Sequence, residues 1–146
     1  MRLFSISLIA LYIVLSPGWE TDFESAKQKA SEQHKYILLN FSGSDWCGPC
    51  IRMHKEIFES DVFKTYADAN LVLLNADFPR LKKNQLSKEQ QKKNDLLADK
   101  YNTKGSFPLT VLLAGDGSVI YSWDGMPDKT PDQFVKQLKE IIDARK

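Results

Sequence analysis

Apolar side chains recur along this chain at two spacings, one helical and one strand-like, and their alternation predicts a mixed series of elements. Phe23, Ala26, Lys27 and Ala30 fall at helical intervals behind Thr21-Asp22-Phe23-Glu24, whose first and last members have capping-box spacing, so a helix is expected to about Gln33. Tyr36 to Phe41 is short and mostly apolar, with aromatic and β-branched members, and reads as a buried strand. Ser42-Gly43-Ser44-Asp45 interrupts it. From Cys47 to Glu59, the side chains of Cys50, Met53, His54, Ile57 and Phe58 share one side of a helical wheel, so a helix opens directly after the strand. Ser60 is placed to cap a further helix through Tyr66 and Ala67, and Leu71 to Ala76 is a second buried strand.

The pattern weakens after Phe78-Pro79. Ser87 and Gln90 repeat the capping-box spacing and predict a helix to Tyr101. Its early turns carry Lys88, Lys92 and Lys93 without an apolar stripe, and only Leu97, Ala98 and Tyr101 share a face. Leu109 to Leu113 and Val119 to Trp123 flank Ala114-Gly115-Asp116-Gly117 and read as a hairpin with a four-residue connection. Thr130-Pro131-Asp132-Gln133 combines a cap, a first-turn proline and a glutamine three residues on, and Phe134, Leu138, Ile141 and Ile142 carry that helix toward Arg145. Two strands joined through a helix are parallel by the crossover rule, while a hairpin adds an antiparallel pair. The fold class is therefore α/β, with a central mixed sheet of four strands, a fifth left open, and helices on both faces. No repeat and no linker divides it.

The N-terminus stands apart from that domain. Met1-Arg2 supplies one positive charge, Leu3 to Leu15 is uncharged and mostly apolar, and Ser16-Pro17-Gly18 is a small-residue break before Trp19. This reads as a secretory signal peptide over residues 1–18, ahead of a domain over 19–146, with a retained membrane anchor as the alternative. As a helix the apolar run would reach only about 20 Å, short of the roughly 30 Å of a hydrocarbon core. Export to a periplasmic or other extracytoplasmic space matters chemically, because disulfides persist there.

Composition narrows the field further. With 146 residues the chain can bury a core without staples, and its two cysteines cannot build a disulfide-rich scaffold. A formal net charge of +1 argues against a nucleic-acid-wrapping protein. That balance is uneven, since Pro79 to Lys104 holds eight basic and three acidic side chains. A solvated face explains such a run, and a docking surface for an acidic partner is the sharper alternative. A monomer is expected.

The two cysteines sit three positions apart in Cys47-Gly48-Pro49-Cys50, at the start of the helix that follows the first strand. Cys47 there meets the positive end of the helix dipole and unpaired backbone N–H groups, which favour thiolate over thiol. Cys50, one turn further in, is expected to be more buried and less reactive, yet able to attack a disulfide formed at Cys47. An attacking and a resolving thiol are the minimum for disulfide exchange through a mixed disulfide. Gly48 allows close backbone approach and Pro49 stiffens the turn. A purely structural disulfide is the bland alternative. Zinc wants three or four ligands, and beyond the cysteines only His34 and His54 are histidines, so neither metal nor cofactor is expected.

Trp46-Cys47-Gly48-Pro49-Cys50 after a strand, with Phe107-Pro108 ahead of another, resembles the thioredoxin superfamily across residues 20 to 146. Exported thioredoxin-like proteins are more similar still, through Gly43 to Cys47, Met53 to Phe58 and the Asp77-Phe78-Pro79-Arg80 segment. The resemblance implies a thioredoxin fold and a redox-active disulfide at Cys47 and Cys50. It also implies a cis bond before Pro108, a Phe107 backbone that pairs with extended substrate, and Gly125 in a loop beside the site. Trp46, Gly48, Pro49, Phe107, Pro108 and Gly125 would line the substrate-binding rim. The implied activity is thiol:disulfide oxidoreductase, reductase-like, acting on protein disulfides or dithiols and supplied by a membrane thiol electron donor. The competing class is a non-catalytic binding module of the same fold.

Two departures bear on mechanism. The buried aspartate that helps deprotonate the resolving cysteine in thioredoxin, and the lysine that lies near it on the next strand, match Asn40 and Leu73 here, and Asn cannot accept a proton. The lysine-rich segment is longer than in thioredoxin. Among remaining candidates, His54 lies one turn beyond Cys50 and reads as an ordinary helix histidine, with tuning of that thiol the alternative. Asp45, Glu56 and Asp77 read as solvated carboxylates, and Trp123 and Met126 as core or as neighbours of the Gly125 loop.

Overall fold

The computed structural model describes residues 18–146. The expected signal peptide lies, apart from Gly18, outside the described residues. Phe23–Gln33 forms α1, Tyr36–Ser42 β1, Gly48–Met53 α2, Asp61–Asn70 α3, Leu71–Asp77 β2, Lys88–Tyr101 α4, Leu109–Leu113 β3, Val119–Asp124 β4 and Pro131–Asp143 α5. The strands make one four-stranded sheet in the order β2-β1-β3-β4. β1 runs parallel to β2, and β3 is antiparallel to both β1 and β4, as the connections require. In place of a fifth strand there is a single parallel bridge from Glu20 to Leu74. Among the described residues no helix is long and apolar enough to cross a membrane.

Both faces of the sheet are covered, which is why its central strands read as unbroken apolar runs rather than as alternating ones. Leu38, Leu73 and Leu112 point to one face, where they meet Met53, Ile57, Phe63, Phe134 and Leu138. Ile37, Leu39, Val72, Leu74, Val111 and Leu113 point to the other, against Ala26 and Ala30 of α1 and Leu97 of α4. The period-two geometry of a strand sorts these neighbours into two cores.

Several boundaries differ from the sequence reading for physical reasons. Asp22, not Thr21, caps α1 by accepting the Ser25 N–H at 2.8 Å. The helix expected from Cys47 to Glu59 changes at His54 into a π-helical turn, His54–Phe58, closed by the Glu59 N–H on the His54 carbonyl. The wider turn keeps Ile57 and Phe58 in the core and leaves His54 at the surface, off the buried face assigned to it. Thr130 and Gln133 form the full reciprocal box, whereas at α4 only Ser87 caps, because the Gln90 side chain donates to Thr21 and Asn94 instead. The β3–β4 connection includes Ser118, with a bulge at Leu112/Leu113.

The early turns of α4, which lack an apolar stripe, are attached by polar groups. Asn94, 1% exposed, donates from Nδ2 to the Asp77 carbonyl at 2.8 Å. Lys93 pairs with Asp22 at 2.9 Å. Phe63 anchors the opposite core, with its ring centroid 5.0 Å from that of Phe58 and 6.2 Å from that of Phe134. Phe63→Ala is expected to cost about 3–5 kcal/mol of unfolding free energy, read as a lower urea midpoint at an unchanged slope.

Candidate active site

β1 and β2 end in register, Ser42 opposite Asp77, so the loops that leave them start side by side. The Asp77 carboxylate accepts the Ser44 N–H at 2.9 Å and the Ser44 hydroxyl at 2.5 Å. Asp45 reaches the same neighbour loop. Its Oδ1 accepts the Arg80 N–H at 2.9 Å, and its Oδ2 accepts the Leu81 N–H and the Asn84 side-chain amide, both at 3.0 Å. The Trp46 indole N–H donates to the Phe78 carbonyl at 2.7 Å, and the Arg80 guanidinium lies 3.7 Å from the Trp46 ring centroid. Gly43 is required beneath that ring, since a Cβ there would come within 2.3 Å of it. Asp45 and Asp77 are thus the two halves of a clasp rather than plain solvated carboxylates.

The clasp ends at Cys47, the N-cap of α2, whose Sγ accepts the Cys50 N–H at 3.3 Å. Pro49 sits in the first turn, where a missing N–H leaves no helical bond unmade. Cys47 and Cys50 form a disulfide with their Cα atoms 5.2 Å apart. Both are nearly enclosed, at 5% and 3% exposure, so the expected contrast in burial is slight in this state.

The bond between Phe107 and Pro108 is cis, and the Gly125 N–H donates to the Pro108 carbonyl at 2.8 Å. Gly125 has φ +81°, a left-handed conformation that glycine adopts without strain. Pro49, Phe107, Pro108 and Gly125 share an open cleft of about 460 Å³ with Met126 and Pro127. Arg52, Glu56, Asp128 and Lys129 edge it, two charges of each sign. Trp46 lies outside this cleft but packs edge-on to Phe107 at 5.4 Å, and Phe107 packs on Phe78 at 5.5 Å. Gly48 is exposed at the tip of the turn.

Beneath α2, Asn40 and Thr110 are cross-strand partners, and the Thr110 hydroxyl donates to Asn40 Oδ1 at 3.1 Å with Met53 Sδ at 3.9 Å. This buried polar pair offers no ionisable group. His54 faces away, with Nε2 3.4 Å from Glu59 and its ring near Trp19 and Phe58. Glu56 pairs with Arg52, and Trp123 is core, its indole N–H on Gln137. Among the described residues there is no cluster of three or more His, Cys, Asp or Glu side chains suited to a metal. The roles of Asp45, Asn84 and Arg80 were missed in the sequence, where Asp77 to Arg80 stood out as a segment with no assigned task.

A mixed β2-β1-β3-β4 sheet, with a Cys-x-x-Cys disulfide opening the helix after β1 and a cis-proline entering β3, defines a thioredoxin-fold dithiol protein. The chain belongs to the thioredoxin-like family, whose model matches residues 18–114. It is 38% identical over 127 residues to the disulfide bond reductase DsbH of Chlamydia pneumoniae, covering 87% of this chain and 74% of that one. It is 28% identical to the thioredoxin-related protein DsbJ of the same organism, over 86% of this chain but 35% of that longer one. A solved structure of a DsbH oxidoreductase superposes with a TM-score of 0.79 at 30% identity, covering 98% of this chain and 94% of that one. A disulphide isomerase from Xylella fastidiosa Temecula1 shares the fold alone, with a TM-score of 0.60 at 17% identity over 82% and 87% of the two chains. The protein is a protein-disulfide oxidoreductase, and the reading as a non-catalytic module falls away.

Hydrogen bonds from the Arg80 N–H, the Asn84 amide and the Leu81 N–H hold the Asp45 carboxyl below its ordinary value of 3.8. A depressed folded pKa means that the clasp contributes fully above the unfolded carboxylate value and is lost only as pH falls through the lower folded one. Amide protection at Arg80 and Leu81 is therefore expected to persist down to about pH 4 in the wild type. Asp45→Ala should abolish it at neutral pH, as measured by hydrogen exchange.

Proposed function

We propose that this protein is an exported, monomeric thiol:disulfide reductase that acts on protein disulfides, with Cys47 as nucleophile and Cys50 as resolving thiol. The observation that carries this reading is Cys47 at the N-cap, receiving the Cys50 N–H, with Pro49 of the same turn lining the cleft that holds cis-Pro108. The name of the Chlamydia pneumoniae relative supports the reductive direction. The charged, apolar and small-residue sequence of residues 1–18 supports export.

In the reduced enzyme the Cys47 thiolate attacks one sulfur of a substrate disulfide. A bond forms between Cys47 and that sulfur, and the other substrate sulfur leaves as a thiolate. Cys50, deprotonated, then attacks Cys47 Sγ, releasing the second substrate sulfur. Two electrons and two protons pass to the substrate, and the enzyme is left as the disulfide. Asn40 cannot take the Cys50 proton, so water or the departing thiolate takes it. Trp46, Gly48, Pro49, Phe107, Pro108 and Gly125 form the rim against which extended substrate lies. An exported enzyme has no cytosolic reductant, so a membrane-spanning thiol carrier restores the dithiol.

Cys50→Ser is expected to accumulate mixed disulfides with client proteins in the enzyme's own compartment, whereas Cys47→Ser accumulates none. If the Cys50→Ser variant traps nothing and the purified wild type, supplied with a dithiol donor, reduces no protein disulfide, the assignment is wrong. Alkylation of the reduced protein should find Cys47 reacting first, with a rate that titrates below the free-thiol value of about 8.5. Equal rates at the two cysteines would remove the contribution of the helix start.

A further inference from the structure

The clasp that fixes Trp46 also fixes a charged surface. Residues 79–92 carry five basic side chains, Arg80, Lys82, Lys83, Lys88 and Lys92, against the single carboxylate of Glu89. Glu89 is itself engaged by Lys93. Among the described residues none of Lys82, Lys83, Lys88 and Lys92 has a carboxylate within 4.0 Å. Lys82 and Lys83 stand on a short 3-10 turn, Lys82–Asn84, directly after Leu81, which is 47% exposed.

This turn is tied down from within and without. The Asn84 N–H donates to the Leu81 carbonyl at 3.0 Å, the Gln85 N–H to the Lys82 carbonyl at 3.2 Å, and the Gln85 side chain to the Pro79 carbonyl at 3.3 Å. Asp45 holds it from the loop that leads into Cys47. Lys82 and Lys83 are therefore carried on a backbone fixed against Asp45, the neighbour of Trp46 in the loop that leads to the disulfide. On the far side, the cleft around Pro108 is charge-balanced. One flank of the redox centre is basic and the other neutral.

We infer that the Leu81–Lys92 surface is a docking site for the protein partner of the Cys47–Cys50 pair, and that this partner presents carboxylates beside its own reactive disulfide. The inference rests on the oxidoreductase reading and deepens it by naming the substrate chemistry. Charge complementarity selects the occupant. Several unpaired ammonium groups attract an acidic polypeptide and raise its encounter rate by about 10- to 1000-fold at low salt. Because the clasp pre-orders the turn, docking costs little ordering entropy there, and exposed Leu81 supplies an apolar contact within the basic field. The orientation follows, with the partner's acidic residues on the Trp46 side of the mixed disulfide.

The test uses the reduced protein and three disulfide probes, a peptide disulfide flanked by aspartates, the same peptide flanked by asparagines, and uncharged hydroxyethyl disulfide. Wild type should reduce the acidic peptide at least tenfold faster than the neutral one at low ionic strength, and about 0.5–1 M salt should erase the difference by screening. Lys82→Glu/Lys83→Glu should lose that advantage while reducing hydroxyethyl disulfide at the wild-type rate. Lys88→Glu/Lys92→Glu, on a separate element, should show the same loss in smaller measure. Equal rates on the two peptides, or unchanged rates in both double variants, overturn the docking site while leaving the oxidoreductase intact. Loss of hydroxyethyl disulfide reduction by wild type would instead strike the oxidoreductase reading. An anionic vesicle arm completes it. If the lysine variants lose sedimentation with vesicles containing anionic lipid but keep wild-type peptide kinetics, the surface serves a membrane and the proposal is wrong.

Discussion

The parallel register of β1 and β2 brings Ser42 opposite Asp77, and the redox site is assembled on the two loops that this pairing sets side by side. Hydrogen bonds from Ser44 to Asp77, from Arg80, Leu81 and Asn84 to Asp45, and from Trp46 to Phe78 all span that gap. Shifting the register by one residue would turn every β2 side chain to the opposite face and carry Asp77 away from Ser44. Because both faces are covered, the same slip would drive half-buried Asn75 into a position that buried Leu74 or Ala76 fills, and that cost favours the alignment on which Cys47 depends.

The packing beneath the disulfide is equally specific. The Thr110 hydroxyl is paired with Asn40 Oδ1 inside an otherwise apolar layer, and no buried side-chain nitrogen or oxygen among the described residues lacks a partner. A paired neutral amide and hydroxyl cost far less to bury than an ionised carboxylate. The chain thus has a stable floor under α2 and no built-in base for Cys50.

The clasp links this centre to the surface chemistry of the molecule. Arg80 covers Trp46 on one side, and the same short segment continues into the exposed turn that carries Lys82 and Lys83. The near-neutral total of +1 hides that local field.

Much of this was legible in the sequence. Helix starts at Ser60, Ser87 and Thr130 are local events, decided by a side-chain oxygen and an N–H three residues away, and they were read correctly. The strands showed as apolar runs, and Cys47 and Cys50 were marked by their spacing at a helix start. The sequence did not disclose the π turn that moves His54 off the buried face, or Asn94 as the anchor of α4. Nor did it disclose the clasp, whose partners Asp45 and Arg80 are 35 residues apart. A carboxylate in a loop has no pattern of its own to announce a distant N–H. Short-range periodicity and capping determine the elements and the reactive pair, because their causes lie within a few residues. Strand register alone decides which loops meet, and only that meeting turns Asp45, Asp77 and Arg80 from surface charges into the frame of the site.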